Sequence, residues 1–177
     1  RNDPDEGVRE QAVLFLGTIR TPEANEALQS MLRESNDVDL QRRALMALTQ
    51  QGGEESAAML RDFATRDNVP ADLRRQAILL LSSRRGGNAE NRPFLRDLFT
   101  RTNDEETRAA ILHALMSDRS AEGVEWLMNV ALNGQLPVDL RRQALFIAGQ
   151  TEHVSVDRLV RLYDQATDAE MKEHLLF

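Results

Sequence analysis

Histidine is the side chain best suited to proton transfer and metal binding near neutral pH, and this sequence has three of them. His113, His153 and His174 are far apart, and none has a second histidine three or four residues away, the spacing that places two metal ligands on one helix face. The chain has no cysteine, which excludes disulfides, thiolate metal sites and thiol nucleophiles. We therefore predict no metal site.

Carboxylate clusters and glycine pairs are the other candidates for chemistry. Glu54-Glu55 and Asp104-Glu105-Glu106 are expected at helix starts, where the helix dipole favours acidic residues without a catalytic role. Gly52-Gly53 and Gly86-Gly87 lack the pattern of a phosphate-binding loop and fit helix ends. The sequence predicts no catalytic residue and no cofactor, and we expect the segment not to be an enzyme.

The composition narrows the class of protein further. The 177 residues include 22 Lys and Arg against 29 Asp and Glu, a formal net charge of −7, which disfavours nucleic acid as the partner. No apolar run approaches the ~18 residues of a membrane span, and no signal peptide opens the chain, so no membrane insertion is expected. Cytoplasm and periplasm both fit this composition.

Two interleaved series of residues repeat along the whole chain. The first is a short motif such as Leu73-Arg74-Arg75-Gln76-Ala77-Ile78, and its alanines are Ala12, Ala44, Ala77, Ala110 and Ala144, which lie 32, 33, 33 and 34 residues apart. The second series supplies apolar residues at i, i+3 and i+4, as in Leu28, Met31 and Leu32. Both series have the period of amphipathic helices. About five helix pairs are therefore predicted, stacked around one continuous core.

Helix boundaries are predicted from capping residues. Asp37 and Asn103 are expected N-caps, with Glu106 completing a capping box, and Pro22 fits the first helical position. Proline is unfavourable inside a helix, so the helix containing Pro93 is expected to begin near Asn91. The sum is about eleven short helices in antiparallel pairs.

The repeated motif resembles that of the HEAT and bacterial HEAT-like repeat family. The resemblance rests on Val8-Arg9-Glu10-Gln11-Ala12-Val13, Leu140-Arg141-Arg142-Gln143-Ala144-Leu145 and the period of about 32 residues, typical of the short bacterial variety. It implies an all-α fold, a right-handed α-α superhelix of antiparallel helix pairs, as a single array over residues 1–177 within a longer bacterial protein. It also implies that the motif-bearing helices line the concave face, and that such arrays serve mainly as protein-binding scaffolds.

A helical-wheel projection places two columns on that inner face. Two residues before the alanines lie Glu10 in the first repeat and arginine in the other four, and two residues after the alanines lie apolar side chains. The predicted partner-binding residues are Arg42, Arg75, Arg108, Arg142, Leu14, Met46, Leu79, Leu112 and Phe146. An apolar stripe edged by arginine predicts a protein or peptide partner with acidic and apolar side chains.

Other interpretations of these columns remain open. The apolar column could pack between adjacent repeats instead of facing solvent, which would make the array a structural spacer. Arg9, Arg74 and Arg141 are expected to form an ion-pair ladder with Asp39, Asp72 and Asp139. A HEAT-like nucleic-acid-binding or DNA-repair module is a further alternative, supported by the arginine column alone.

Overall fold

The computed structural model describes residues 6–83 and 88–151, and beyond them positions 160, 163, 164, 166, 169 and 172. All regular structure in these residues is helical. In chain order the helices are α1 (Glu6–Leu16), α2 (Pro22–Glu34), α3 (Val38–Gln51), α4 (Gly53–Ala64), α5 (Ala71–Leu81), α6 (Asn88–Arg101), α7 (Glu105–Ala114), α8 (Ala121–Leu132) and α9 (Val138–Gly149), with a 3-10 turn at Leu115–Ser117. The helices predicted after residue 151 lie outside the continuously described part.

The helices belong to two compact units, Arg1–Ala114 (unit 1) and Leu115–Phe177 (unit 2). In unit 1, α1 packs against α3, α3 against α5 and α5 against α7, and these four helices are called layer A. Helices α2, α4 and α6 form layer B, and each packs against the layer-A helices before and after it. This stacking of helix pairs is an α-α solenoid, as the repeat predicts. In unit 2, α8 packs against α9.

The core of unit 1 uses the same positions in successive repeats. Ala44 and Ala77 of layer A, and Leu28, Leu60 and Leu95 of layer B, have no exposed surface. Burying one leucine side chain contributes roughly 2 kcal/mol, so the two interleaved series are what hold the layers together. None of the helices in the described residues is long and apolar enough to cross a membrane.

Gly17 and Gln51 lie at the contact between α1 and α3. A Cβ atom on Gly17 would lie 2.9 Å from the Cα of Ala47, so glycine permits the close approach of the two helices. The buried amide of Gln51 donates to the carbonyls of Leu16 (3.0 Å) and Ile19 (2.6 Å). Gln51 thereby donates to the last carbonyl of α1, which also accepts from the Ile19 amide, and to a carbonyl of the turn that follows α1.

Helix α6 begins earlier than predicted. It starts at Asn88 instead of near Asn91, so Pro93 is its sixth residue. Proline cannot donate to the carbonyl of Ala89, but Ala89 is exposed and water can satisfy that group. The side-chain amide of Asn91 is buried and donates to the Leu81 carbonyl (3.1 Å). Asn91 therefore holds the first turn of α6 against α5, and it is not the residue at which the helix begins.

The capping predictions are confirmed for two helices. Thr21 Oγ1 accepts a hydrogen bond from the amide of Ala24 (3.3 Å), and Pro22 is the first residue of α2. Asp37 Oδ1 accepts from the amides of Asp39 (3.0 Å) and Leu40 (3.1 Å) at the start of α3. Both helices therefore begin where the sequence predicts.

The predicted cap of α7 is wrong by one residue. The helix begins at Glu105, and the side chain of Asp104, not Asn103, accepts from the amide of Thr107 (2.9 Å). Asp104 accepts a second hydrogen bond from the Thr107 hydroxyl. The carboxylate binds both donors of one residue, and this decides the register of the whole helix.

Candidate functional site

The candidate site is the exposed face of the layer-A helices, and equivalent positions are identified by counting from each helix start. Helices α1, α3, α5 and α7 are counted from Glu6, Val38, Ala71 and Glu105, and α9 of unit 2 from Val138. At 100° per residue, the seventh and eleventh residues share one side of the helix and the ninth lies on the opposite side. The seventh and eleventh residues are buried in α3, α5 and α9, and in α7 with the 3-10 turn that follows it, whereas in α1 the seventh residue, Ala12, is exposed and the eleventh, Leu16, is half-buried. The ninth residues are Leu14, Met46, Leu79, His113 and Phe146.

These ninth residues form the exposed column of the layer-A face. Leu14 is 48% exposed and Met46 is 52% exposed, and Leu79 is half-buried. His113 is exposed as well, and in unit 2 Phe146 is 66% exposed. An exposed apolar column therefore exists on α1 and α3 and weakens towards α7.

Leu112, predicted to belong to this column, is fully buried. It is the eighth residue of α7, and the eighth residues Leu45, Ile78 and Leu145 of the other motif helices are buried too. The expectation of an exposed Leu112 is wrong because the predicted alignment placed Ala110 in the seventh position, which Ile111 occupies. The cap at Asp104 shifts every residue of α7 by one.

The fifth residues form the basic column beside it. Arg42 donates to Asp39 in its own helix (2.6 Å) and to Asp72 in the next repeat (2.9 Å). In unit 2, Arg142 pairs with Asp139. The fifth residue of α7 is Ala109, and the fifth residue of α1 is Glu10, whose side chain lies outside the description. Aspartates at the second residue of α3, α5 and α9 therefore neutralise Arg42 and Arg142, two of the predicted basic residues.

Arg75 is the exception in the basic column. Its side chain is exposed and makes no hydrogen bond or ion pair with the residues that the structure describes. It lines a shallow recess of about 230 Å³ together with Asp72 and Glu106. Asp72 is held by Arg42, so the guanidinium of Arg75 remains available to a partner.

Arg108 has a different role from the predicted one. It is the fourth residue of α7, its Nε donates to the Phe99 carbonyl (3.3 Å), and its guanidinium lies 5.5 Å from the centre of the Phe99 ring. The fourth residues of α3, α5 and α9 also donate to backbone carbonyl oxygens. Gln41 donates to the carbonyls of Leu32 and Ser35. Arg74 donates to those of Arg66 and Asp67, and Arg141 to that of Ala131. The fourth column thus caps the end of the preceding helix.

The predicted ladder of Arg74 and Arg141 with Asp72 and Asp139 is therefore wrong, and Arg9 lies outside the described side chains. The fourth residue points towards the preceding helix end, which brings carbonyls within its reach. Arg141 is only 6% exposed, as expected for a group that donates to a buried carbonyl. Counting α7 from its N-cap instead of from Ala110 would have placed Arg108 in the fourth column.

Two carboxylates are held in the ionised form by their donors. The hydrogen bond from the Thr107 hydroxyl lowers the pKa of Asp104, helped by the Thr107 amide and Arg74 against an opposing effect of burial. Burial raises the pKa of Asp62, but the hydrogen bonds and charges of Arg66 and Arg33 outweigh it and lower that pKa. In the described residues no group of three or more Asp, Glu or His side chains is arranged to hold a metal ion.

Comparison with known proteins agrees with this geometry. The family model of HEAT repeats matches residues 1–82 and, in a second overlapping register, residues 25–116. No curated protein matches the chain. HEAT repeats commonly mediate protein–protein interaction or scaffolding and are typically non-enzymatic. The matched residues cover more than half of the sequence and include layers A and B of unit 1, so the chain belongs to the HEAT repeat family.

Proposed function

We propose that this chain is a protein–protein interaction scaffold that binds a protein or peptide on the exposed layer-A face of unit 1. The observation that carries the proposal is the exposed apolar pair Leu14 and Met46 on the packed helices α1 and α3. The next layer-A helix, α5, carries Arg75, which has no partner among the residues that the structure describes. A single exposed apolar residue is ordinary on a protein surface. Exposure at the same position of two packed repeats makes a continuous surface instead.

The spacing of this surface suggests the conformation of the partner. Packed helices generally lie about 8–10 Å apart, so we expect Leu14, Met46 and Leu79 to present their side chains at roughly that interval. A polyproline II segment rises about 3.1 Å per residue with three residues per turn, so every third side chain shares a face at about 9 Å. An extended peptide with apolar residues at i and i+3 therefore matches the column.

Arg75 supplies the polar part of the proposed site. It lies four residues before Leu79 on α5, which places both side chains on neighbouring parts of one helix face. A free guanidinium binds a carboxylate with two parallel hydrogen bonds in a geometry fixed by its planar group. The proposed partner therefore carries an acidic residue beside its apolar ones. In unit 2, Phe146 is the corresponding candidate contact, with Arg142 held by Asp139.

The nucleic-acid alternative is disfavoured by the same face. Binding to a phosphate backbone is driven by several lysine or arginine side chains that neutralise phosphates. In unit 1 the fifth column offers Arg42, which is bound to two carboxylates, and Arg75, while α7 has Ala109 at that position. The spacer alternative predicts that changes at exposed layer-A positions have no effect on any binding partner.

Selection of peptides from a random phage-displayed library tests the proposal. Wild-type protein is expected to enrich sequences with apolar residues at i and i+3 and a nearby Asp or Glu. Binding of the enriched peptides should weaken at least tenfold in Met46→Asp and in Arg75→Glu, because each removes one of the two contacts. The matched controls Met116→Asp and Arg20→Glu change exposed residues outside layer A and should bind as wild type does.

Two results would contradict the proposal. If no peptide family is enriched, or if enriched peptides bind all four variants equally, the layer-A face is not the binding surface. Circular dichroism of each variant shows whether it is folded. Met46 and Arg75 are exposed, so both variants are expected to keep wild-type helicity.

A further inference from the structure

A recess of unit 1 lies where the α2–α3 loop meets the α4–α5 loop. It has a volume of about 120 Å³, which is room for a group of several non-hydrogen atoms. Its polar lining consists of side chains that can donate hydrogen bonds, and these are Arg33, Ser35, Asn36, Gln41, Arg66 and Asn68. Two other recesses of unit 1 contain carboxylates, Asp67 and Asp104 in one and Asp72 and Glu106 in the other. Among the described residues no carboxylate lines the α2–α3 recess, so its charged side chains are cationic.

The two arginines of the recess share one carboxylate, which lies outside the lining. Arg66 pairs with Asp62 and donates through Nη1 to the carbonyl of Leu32 (3.1 Å). Arg33 Nη2 lies 3.5 Å from the same Asp62 oxygen, at the limit of a hydrogen bond, and the Arg33 side chain is 53% exposed. Two cations beside one anion leave an excess of one positive charge at the recess.

The acidic residues nearest to the lining in sequence make their contacts elsewhere. Asp37 Oδ1 accepts from the amides of the first turn of α3, and Glu34 accepts from the hydroxyl of Ser30 in its own helix (2.8 Å). Asp67 lines the separate recess that it shares with Asp104. The α2–α3 recess therefore presents guanidinium and amide groups to a guest.

Three donors in the recess are available. The side chains of Asn36 and Asn68 are exposed and make no hydrogen bond with the residues that the structure describes. Arg33 contacts Asp62 through Nη2, which leaves its Nε and Nη1 for a guest. The donors come from α2 and from two different loops, so they approach a guest from more than one side. An anion with three acceptor oxygens can bind all three donors, whereas a carboxylate has only two oxygens.

We propose that this recess binds the phosphate group of a phosphate monoester, with Arg33, Asn36 and Asn68 as donors and Arg66 contributing positive charge. A phosphate monoester carries a charge of about −1.5 to −2 at pH 7, which complements the cationic lining. None of the proposed layer-A contact residues lines this recess, so the site goes beyond the proposed function and does not depend on it. One such site neutralises a single phosphate, whereas a nucleic-acid partner requires several such contacts.

A titration followed by NMR of the isotope-labelled protein tests the site. The probes are N-acetyl-phosphoserine-N-methylamide and inorganic phosphate, at about pH 7.5, which is above the second pKa of phosphate. The side-chain amides of Asn36 and Asn68 and the backbone amides of Arg33 and Ser35 are expected to shift. N-acetyl-serine-N-methylamide, which lacks the phosphate, should produce none of these shifts. Tighter binding of the phosphoserine probe identifies a phosphorylated protein as the source of the phosphate, and tighter binding of inorganic phosphate identifies the free ion.

Two variants should change the affinity in opposite directions. Arg33→Gln removes the exposed cation and should weaken binding of both probes by roughly three- to tenfold, the size of one partly exposed charge-assisted hydrogen bond. Asp62→Asn removes the carboxylate that competes for both arginines and should strengthen binding by roughly two- to fivefold. Arg20→Gln changes an exposed arginine in the α1–α2 loop, so this matched control should bind the probes as wild type does.

The side chains of Arg33 and Asp62 are each about half exposed, so both variants are expected to fold, which circular dichroism verifies. The absence of shifts at the recess would overturn the proposal. So would equal affinity of wild type and Arg33→Gln, or an Asp62→Asn variant that binds no more tightly than wild type. Met46→Asp and Arg75→Glu should bind the probes as wild type does, which separates this test from that of the layer-A face.

Discussion

Replacing Leu112 by alanine is expected to destabilise the protein by about 3 kcal/mol, whereas the same change at Leu14 should cost less than about 1 kcal/mol. Both leucines were candidates for one exposed column, and the structure separates them: Leu112 has no exposed surface, and Leu14 is 48% exposed. A buried leucine loses its transfer free energy and leaves a cavity, with observed costs of about 2–5 kcal/mol. A half-exposed leucine loses only part of its transfer free energy.

Urea denaturation followed by circular dichroism at 222 nm measures the difference. The midpoint should fall in Leu112→Ala with little change in the slope, and the melting temperature should fall by roughly 6–12 °C for a chain of this size. Leu45→Ala is the positive control, since Leu45 is the eighth residue of α3 and is fully buried as well. The two buried variants should resemble each other and differ from Leu14→Ala.

The refuting result concerns the register of α7. If Leu112→Ala costs no more than Leu14→Ala, then Leu112 faces solvent and the helix starts one residue earlier than Glu105. In that case His113→Ala, at the exposed ninth position of the structure, would be the destabilising change. The comparison of Leu112 with His113 therefore decides the register without reference to any partner.

Three further predictions concern the same unit. Gln51→Leu should lower the free energy of unfolding by about 1–3 kcal/mol in urea denaturation, because it removes the buried side-chain amide that donates to the half-buried carbonyls of Leu16 and Ile19, of which only Leu16 keeps another donor among the described residues, the Ile19 amide; a neutral result would show that water replaces Gln51. The depressed pKa of Asp62 means that its pairing with Arg66 stabilises the protein above the unfolded pKa, near 3.8, and is lost as the pH falls through the folded value. Stability curves of Asp62→Asn and wild type should therefore converge below about pH 4, and a constant gap at every pH would contradict the assignment. On immobilised heparin the protein should flow through at moderate salt, and retention with a steep salt dependence would favour a nucleic-acid partner instead.

The order of helices and the core of the repeats were predictable from local patterns. Apolar residues at i, i+3 and i+4 identify helices because every turn must bury the same face. The caps at Thr21 and Asp37 were predictable for a similar reason. The side-chain oxygen of an N-cap residue accepts from a backbone amide two or three residues later, so the residues that form a cap are close in sequence. The start of α6 was not, because a buried amide at Asn91 and an exposed carbonyl at Ala89 make Pro93 tolerable inside the helix.

The candidate site was predictable only in part. Leu14, Met46 and Phe146 are exposed where the wheel projection places them, because the ninth residue lies opposite the core on any helix of this register. The burial of Leu112 and the contact of Arg108 with Phe99 both follow from one shifted cap. A shift of one residue turns a helix by 100°, which exchanges a solvent position for a core position.

The amino-acid sequence alone determined the period, the helical class and the apolar stripe of each helix, because these depend on residues within two turns of one another. Only the tertiary structure decided which arginines are free. Arg42 binds a carboxylate thirty residues away, Arg101 turns to its own helix, and Arg75 has no partner among the described residues. An ion pair forms or fails over a few ångströms between stacked repeats, and a repeating motif alone does not specify those distances.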